Sequence, residues 1–252
     1  PIFDRHGRLL AVSVPAGSVY VRPRQVENKA QVAITLGHML KIDPKVIMEK
    51  FASTQPFVWV KRQVPRDLAE QVADLKIAGV GYLMESRRYY PFGGAAATLI
   101  GKVGVDGIGL SGLELQYERH LHGSHTATPV RRDALGKLIQ SAEGEFQLPK
   151  GRPVQLTLDV SLQMILEEEL EIGRQNAKAK HALAVLIDAH SGEVMALGQS
   201  PGPDFNKDKL SSKQDLKNLI TETVFEPGST MKPMVVAAGL EGRVIRGQEL
   251  LY

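Results

Sequence analysis

Ser229 and Lys232 stand three residues apart in Pro227-Gly228-Ser229-Thr230-Met231-Lys232-Pro233, the single Ser-x-x-Lys pattern of the chain. A spacing of three puts two side chains on one face of a helix. A serine hydroxyl is a poor nucleophile until a base lies within hydrogen-bond reach, and a lysine serves as that base once desolvation or neighbouring positive charge lowers its pKa. The pair therefore reads as nucleophile and general base for acyl transfer through an ester on Ser229. A helix start suits this chemistry, because the free N–H groups and dipole of a first turn favour negative charge on oxygen. Pro227-Gly228 fits a sharp entry, and Pro233 is tolerated in a first turn that has no intrahelical acceptor to offer. The spacing alone discriminates poorly. With 13 Ser and 16 Lys in 252 residues, chance predicts about 0.8 such pairs, and a capping serine followed by a solvated lysine uses the same residues.

Positioning such a pair takes a helix backed by a sheet, and the preceding sequence supplies candidates for both. Val154 to Leu158 alternates as a strand, and Asp159 is a good N-cap for a helix with Leu162, Ile165, Leu166 and Leu170 on one face. Glu167, Glu168, Glu169 and Glu171 then form its solvated side. Ala182 to Ile187 is a near-continuous apolar strand, returned by the turn Asp188 to Gly192 into Glu193–Leu197 as an antiparallel hairpin. Ser200 to Leu216 reads as a surface loop. After it, Val235, Val236, Ala238 and Leu240 continue an apolar helix behind the serine.

Further upstream the chain mixes short strands and helices. A turn at His6-Gly7 leads into a strand through Val12, and Ser18–Val21 forms a second. Val32, Leu36, Met39 and Leu40 make a helical stripe, Asp43-Pro44 opens another helix through Phe51, Val58-Trp59-Val60 is a short strand, Pro65–Leu75 a helix and Val80–Met84 a strand. Seven glycines between 93 and 112 force tight turns before a helix from Gly112 to Gly123, and Thr126–Val130 with Leu135–Ile139 suggests a hairpin. The polar stretch ending in Leu148-Pro149-Lys150 marks a domain boundary. The expectation is an α+β chain with a domain at 1–150 and a second at 151–252.

Composition narrows the function. With 43% apolar residues the chain can bury a core, and a net charge of only +3 with no dense basic run argues against nucleic acid as a partner. The absence of cysteine removes disulfides, zinc–thiolate sites and cysteine nucleophiles. No apolar run reaches the ~18 residues of a membrane span. An opening at Pro1 and a stop at Leu250-Leu251-Tyr252 suggest a piece trimmed at both ends. His120, His122 and His125 fall at a helix end and in a Gly-Ser loop, so no metal site is expected, and no cofactor. Arg5, Arg87, Arg88, Glu114 and Arg119 suit either an anion site or an ion-pair network; the network, with Arg5, Arg88 and Glu114 as structural members, is the expectation. Trp59 reads as a half-buried strand residue, and Met231 and Met234 as packing residues.

Phe225-Glu226-Pro227-Gly228-Ser229-Thr230-Met231-Lys232-Pro233 resembles the active-site segment of the class B penicillin-binding proteins, serine D,D-transpeptidases of peptidoglycan. The resemblance runs through nearly the whole chain. Ile2-x-Asp4-Arg5-x-Gly7-x-x-Leu10-Ala11 resembles the opening motif of their non-catalytic pedestal. Arg88-Tyr89-Tyr90-Pro91 with Gly101, and Gly109-x-x-Gly112-Leu113-Glu114 with Leu121-x-Gly123, resemble its later motifs. Leu156-Thr157-x-Asp159-x-x-x-Gln163 and Asp188-x-x-Ser191-Gly192-Glu193-Val194-x-Ala196 resemble the start of the transpeptidase domain. Tyr89-Tyr90-Pro91 and Lys232-Pro233-Met234-Val235-Val236 are most similar to the division-specific, septal members of Gram-negative bacteria.

The resemblance implies an acyl-enzyme on Ser229 formed from stem peptides, with Lys232 as the base, the Ser229 backbone N–H as half of the oxyanion hole, and covalent inhibition by β-lactams. It also implies a periplasmic domain on a single-span inner-membrane anchor, with a glycan polymerase and division proteins as partners. Two departures stand out. The chain contains neither Ser-x-Asn nor Lys-[Ser/Thr]-Gly, the usual companions of Ser-x-x-Lys, so residues 1–252 alone are expected to lack turnover. Asn218-Leu219 also stands where the family usually has Asn-Arg. The alternatives are a β-lactamase or β-lactam sensor, against which the pedestal motifs argue, and a non-catalytic cell-wall scaffold.

Overall fold

The structure is a computed structural model and describes residues 1–123, 131–132, 138–139, 151–207 and 216–247. The chain forms two units, Pro1–Ile220 and Thr221–Tyr252. The spine of the first is β2 (Leu9–Val21), one continuous strand where the sequence suggested two. It follows β1 (Ile2–Phe3) through the His6-Gly7 turn, in which the Asp4 carboxylate accepts the N–H groups of His6 and Arg8, each at 2.9 Å. Pro15 does not break the strand. Between Ala11 and Gly17 one edge of β2 has no strand partner, as β1 pairs only with 9–11 and β3 (Val58–Val64) only with 17–21. Edge positions of that kind are where a residue without an N–H is admitted. On the opposite edge β4 (Val80–Tyr89) pairs antiparallel without interruption from Val12↔Tyr89 to Val21↔Val80.

Three helices cover one face of this sheet. Asp43 caps α2 (Pro44–Phe51) by accepting the Lys45 N–H at 2.9 Å, with Pro44 in the first turn as its fixed φ favours. α1 (Lys29–Leu40) and α3 (Arg66–Asp74) pack with it, so that Leu36, Leu40, Ile47, Phe51 and Val72 meet Val19, Val21, Val60 and Val64 in one core. Burying each such side chain contributes about 1.5–3 kcal/mol. Gly17 permits the approach of α3: a Cβ there would lie 2.2 Å from the Ala69 Cβ.

The glycine-rich segment forms α4 (Ala97–Ile100) and an antiparallel bridge between Val103 and Gly109. The single helix expected after Gly112 is two short ones, α5 (Gly112–Gln116) and α6 (Glu118–Leu121), because Tyr117 leaves helical dihedrals at φ −102° and ψ 20°. Within the expected hairpin, β5 (Arg131–Arg132) pairs with β6 (Leu138–Ile139); Thr126–Val130, Leu135–Lys137 and Leu148–Lys150 lie outside the described residues.

Beyond residue 150 the chain returns to the first sheet. β7 (Val154–Gln155) runs parallel to β1, matching Ile2 with Val154. The strand expected to Leu158 ends early, yet Leu158 and Val160 are buried in a second core with Ile2, Leu10, Tyr90, Ile100 and Phe205. α7 (Val160–Asn176) starts at Asp159, whose carboxylate accepts the Ser161 N–H at 2.9 Å. It lies against the hairpin of β8 (Ala182–Ile187) and β9 (Val194–Ser200). α8 (Leu219–Glu222) leads into the second unit, whose one longer helix is α9 (Lys232–Glu241). None of the described helices is long and apolar enough to cross a membrane.

Candidate active site

The second unit places Ser229 and Lys232 on a tightened helix entry. Gly228 takes φ +56°, a left-handed conformation that glycine reaches without steric cost, and turns the chain into a 3₁₀ turn over Gly228–Met231. The Pro227 carbonyl accepts from both the Thr230 N–H (3.3 Å) and the Thr230 Oγ1 (2.5 Å), and the Lys232 N–H donates to the Ser229 carbonyl. Side chains at i and i+3 eclipse in such a turn. It therefore brings the directions of Ser229 and Lys232 closer together than the α-helical spacing read from sequence. Lys232 then opens α9 with Pro233 in its first turn. Ser229 and Lys232 are exposed, and so are Met231 and Met234, which in this unit do not pack as expected.

The segment that leads to this turn is fixed within the first unit. The Leu219 N–H donates to Gln199 Oε1 on β9 at 2.9 Å, and the buried Asn218 accepts the Ile220 N–H at 3.1 Å. A leucine in place of the family's arginine thus keeps a backbone anchor. β9 is held in turn by α7 through Gln163, which is fully buried. Its amide accepts the Leu197 N–H at 2.8 Å, donates to the Leu197 carbonyl at 2.9 Å and donates to Glu167 at 2.7 Å. Glu167 also accepts the Ala96 N–H at 2.9 Å. Burial pushes its carboxyl upward against those two hydrogen bonds. This corrects the sequence reading, in which Glu167 belonged to a solvated face; Ile165, assigned to the apolar stripe, is 58% exposed. The turn between β8 and β9 is as expected, with the Asp188 carboxylate accepting the N–H groups of His190 and Ser191 and held below its usual range by them.

The ion pairs sort into separate clusters instead of one network. Arg88 Nε donates to Glu114 at 2.7 Å with both side chains buried. Burial raises the Glu114 carboxyl, opposed by the Arg88 charge. Arg5 is not part of that pair: it bonds Glu193 at 3.2 Å and the Met195 sulfur, because its turn faces the β8–β9 hairpin. Arg119 is exposed. Arg8, which sequence reasoning passed over, joins the first turn to the start of α7. Arg8 donates to Asp4 Oδ2, Asp159 Oδ1 and Ser161 Oγ at 2.6, 2.6 and 2.7 Å. Arg8 holds Asp159 down to about 2. At Asp4 burial acts upward, but Arg8 and backbone N–H groups outweigh it and keep the carboxyl low. The signal for Gln163 and Glu167 was available, since with Val160 and Leu170 they complete a spacing of three and four along α7.

His122 Nδ1 lies 2.9 Å from the Gly107 carbonyl and 3.0 Å from Glu118, and His125 falls outside the described residues. Among the described residues no three His, Cys, Asp or Glu side chains gather as a metal site. Trp59 sits half-buried between Phe57 and Arg62.

Comparison with known proteins bears on both parts of the chain. The family described as "Penicillin-binding Protein dimerisation domain" matches residues 1–156, and "Penicillin binding protein transpeptidase domain" matches 182–251. The chain is 34% identical over 257 residues to "Peptidoglycan D,D-transpeptidase FtsI" of Escherichia coli, covering 99% of this chain and 44% of that protein. It is 32% identical over 245 residues to "Probable peptidoglycan D,D-transpeptidase PenA" of Neisseria meningitidis, covering 95% and 42%. With "Stage V sporulation protein D" of Bacillus subtilis it shares 33% over 251 residues, covering 95% and 38%. The chain thus spans less than half the length of these relatives. Among solved structures, Penicillin Binding Protein 2X from Streptococcus thermophilus superposes with a TM-score of 0.63 at 24% identity, over 98% of this chain and 41% of that one. A peptidoglycan synthetase from Bifidobacterium adolescentis gives 0.59 at 21%, over 98% and 51%. Both likenesses concern the fold.

Proposed function

The chain belongs to the penicillin-binding protein family, and on that premise we propose that it acts, in its whole protein, as a serine D,D-transpeptidase that crosslinks peptidoglycan stem peptides during septal wall synthesis. The observation that supports the reading is the 3₁₀ turn that Gly228 opens, which sets Lys232 one turn after Ser229 with its backbone N–H on the Ser229 carbonyl. Ser229 Oγ attacks the carbonyl of the penultimate D-Ala while Lys232 Nζ takes the hydroxyl proton. The tetrahedral oxyanion is met by the Ser229 backbone N–H. Collapse breaks the C–N bond, the terminal D-Ala leaves with the proton from Lys232, and an ester on Ser229 remains. An amine of a neighbouring strand then attacks the ester, giving up a proton, and Ser229 is released as a hydroxyl. A β-lactam follows the first half of this course and stops there.

The second hydroxyl, the substrate-binding strand and the other oxyanion donor belong to Ser-x-Asn and Lys-Thr-Gly motifs, which these 252 residues do not contain. In this reading residues 1–150 form the pedestal and 151–252 begin the catalytic domain, held in the periplasm by a single-span inner-membrane anchor. Its partners are a membrane glycan polymerase and division proteins. The test is fluorescent penicillin on the full-length protein. A covalent label that Ser229→Ala abolishes supports the reading, whereas no label on folded wild type leaves only a scaffold, and deacylation within seconds makes it a β-lactamase.

A further inference from the structure

The stretch of chain that leads to Ser229 sets out from α8, and two side chains hold the start of that helix. The first N–H groups of a helix have no carbonyl within it to bond. In α8 two of them are met from side chains: the Ile220 N–H by Asn218 Oδ1 at 3.1 Å, and the Leu219 N–H by Gln199 Oε1 at 2.9 Å. The two bonds differ in reach. Asn218 directly precedes the helix, so its bond to the second helical N–H shapes only the local turn, as an N-cap does. Gln199 belongs to β9, so its bond fixes where α8 begins relative to a strand.

That strand is a firm support. Gln199 is paired with Leu183 of β8, and Leu197, two residues earlier, is held at its N–H and its carbonyl by the fully buried Gln163 of α7. Asn218, at the join, is only 6% exposed. A path of hydrogen bonds thus runs from Gln163 to Leu197 and from Gln199 to Leu219, and residues 223 to 228 continue it along the chain from the end of α8 to Ser229.

We propose that Gln199 is a positioning residue for acylation at Ser229: by holding the Leu219 N–H it registers the start of α8 on β9, and with it the point from which the chain runs on to the nucleophile. The proposal rests on the transpeptidase reading. The rate of acylation then follows the fraction of molecules in which α8 is registered.

The test measures the rate at which a fluorescent penicillin acylates the folded full-length protein, and removes each partner of the bond in turn. Gln199→Met keeps the length of the side chain without its acceptor oxygen. Leu219→Pro removes the donor at the first position of a helix, where proline is admitted. One hydrogen bond biases a conformational equilibrium by about two- to tenfold, so each of these variants is expected to acylate at least twofold more slowly. Gln199→Glu, which keeps an acceptor oxygen, and Leu219→Ala, which keeps the N–H, are expected to stay within twofold of wild type. Because both losses break the same bond, Gln199→Met/Leu219→Pro is expected to be no slower than the slower single variant. A role in stability alone would lower the melting temperature of the loss variants and leave the rates of the folded proteins at the wild-type value. Wild-type rates in either loss variant, a slow Gln199→Glu or Leu219→Ala, or effects that multiply in the double variant would overturn the proposal. Absence of label on wild type would instead strike the transpeptidase reading, and the proposal with it.

Discussion

Gln163 grips Leu197 through both ends of its amide, accepting the backbone N–H at 2.8 Å and donating to the carbonyl at 2.9 Å. A side chain here does what a neighbouring strand would do, satisfying the main chain of β9 from inside a helix. Replacing it with Met keeps the volume and removes both partners. Each buried backbone group left without one costs about 1–3 kcal/mol, so Gln163→Met is expected to lower unfolding free energy in urea by about 2–6 kcal/mol. A loss below about 0.5 kcal/mol, the level of an ordinary surface change, would show that the clamp is incidental.

Lys232→Ala separates chemistry from folding. The side chain is exposed, so its removal is expected to change stability by less than about 0.5 kcal/mol. Acylation of the full-length protein by a fluorescent penicillin is expected to slow by about 10²–10⁴, the usual contribution of a general base. Equal labelling rates in variant and wild type would exclude Lys232 as the base.

The Asp159–Arg8 contact predicts an acid limit. Asp159 titrates at about 2 in the folded chain, below its ordinary 3.8, with Arg8 as the chief cause. A carboxyl whose pKa falls on folding gives stability that is present above the unfolded value and is lost as pH drops through the folded one. Wild type is therefore expected to lose melting temperature between pH 4 and pH 2, and Arg8→Met to lose less over that window while starting lower at pH 6. Parallel curves for the two proteins would remove Arg8 from the account.

Glu114 lies nearly wholly buried against Arg88. Truncating one member strands the other, which typically costs about 3–5 kcal/mol, whereas replacing both with apolar residues of similar size is often close to neutral. Glu114→Ala is accordingly expected to be more destabilising in urea than Arg88→Met/Glu114→Leu. If the double variant is the weaker protein, the pair contributes more than mutual neutralisation.

Much of this architecture was legible in the residues. Apolar spacing in α1, α2 and α3 and the caps of α2 at Asp43 and of α7 at Asp159 marked these helices, because local hydrogen bonds and one-sided burial act over a few residues. That Ser229 and Lys232 share a helical turn was legible for the same reason. What escaped depended on distant contacts. The union of two strands through Pro15 requires β4, about 70 residues later, and an open edge beside the proline. Glu167 looked solvated because its partner Ala96 lies in a glycine-rich turn that no pattern links to α7. Arg5 was grouped with Arg88 and Glu114, and Arg8 was passed over, because only the folded turn at Asp4 directs the one toward Glu193 and the other toward Asp159.

The parallel pairing of Ile2 with Val154 has a consequence for how the molecule is made. Ile2 pairs locally with Ala11, but its other neighbour arrives only once the ribosome has passed residue 155, which at about 5–20 residues per second is a delay of roughly 8–30 seconds. Closing so long a loop comes late in assembly, since its entropy must be overcome before the contacts reward it. The α1–α3 layer, built almost wholly from residues 19 to 82, can be complete before then. The layer of α1 to α3 thus forms ahead of the edge of β1 that receives β7.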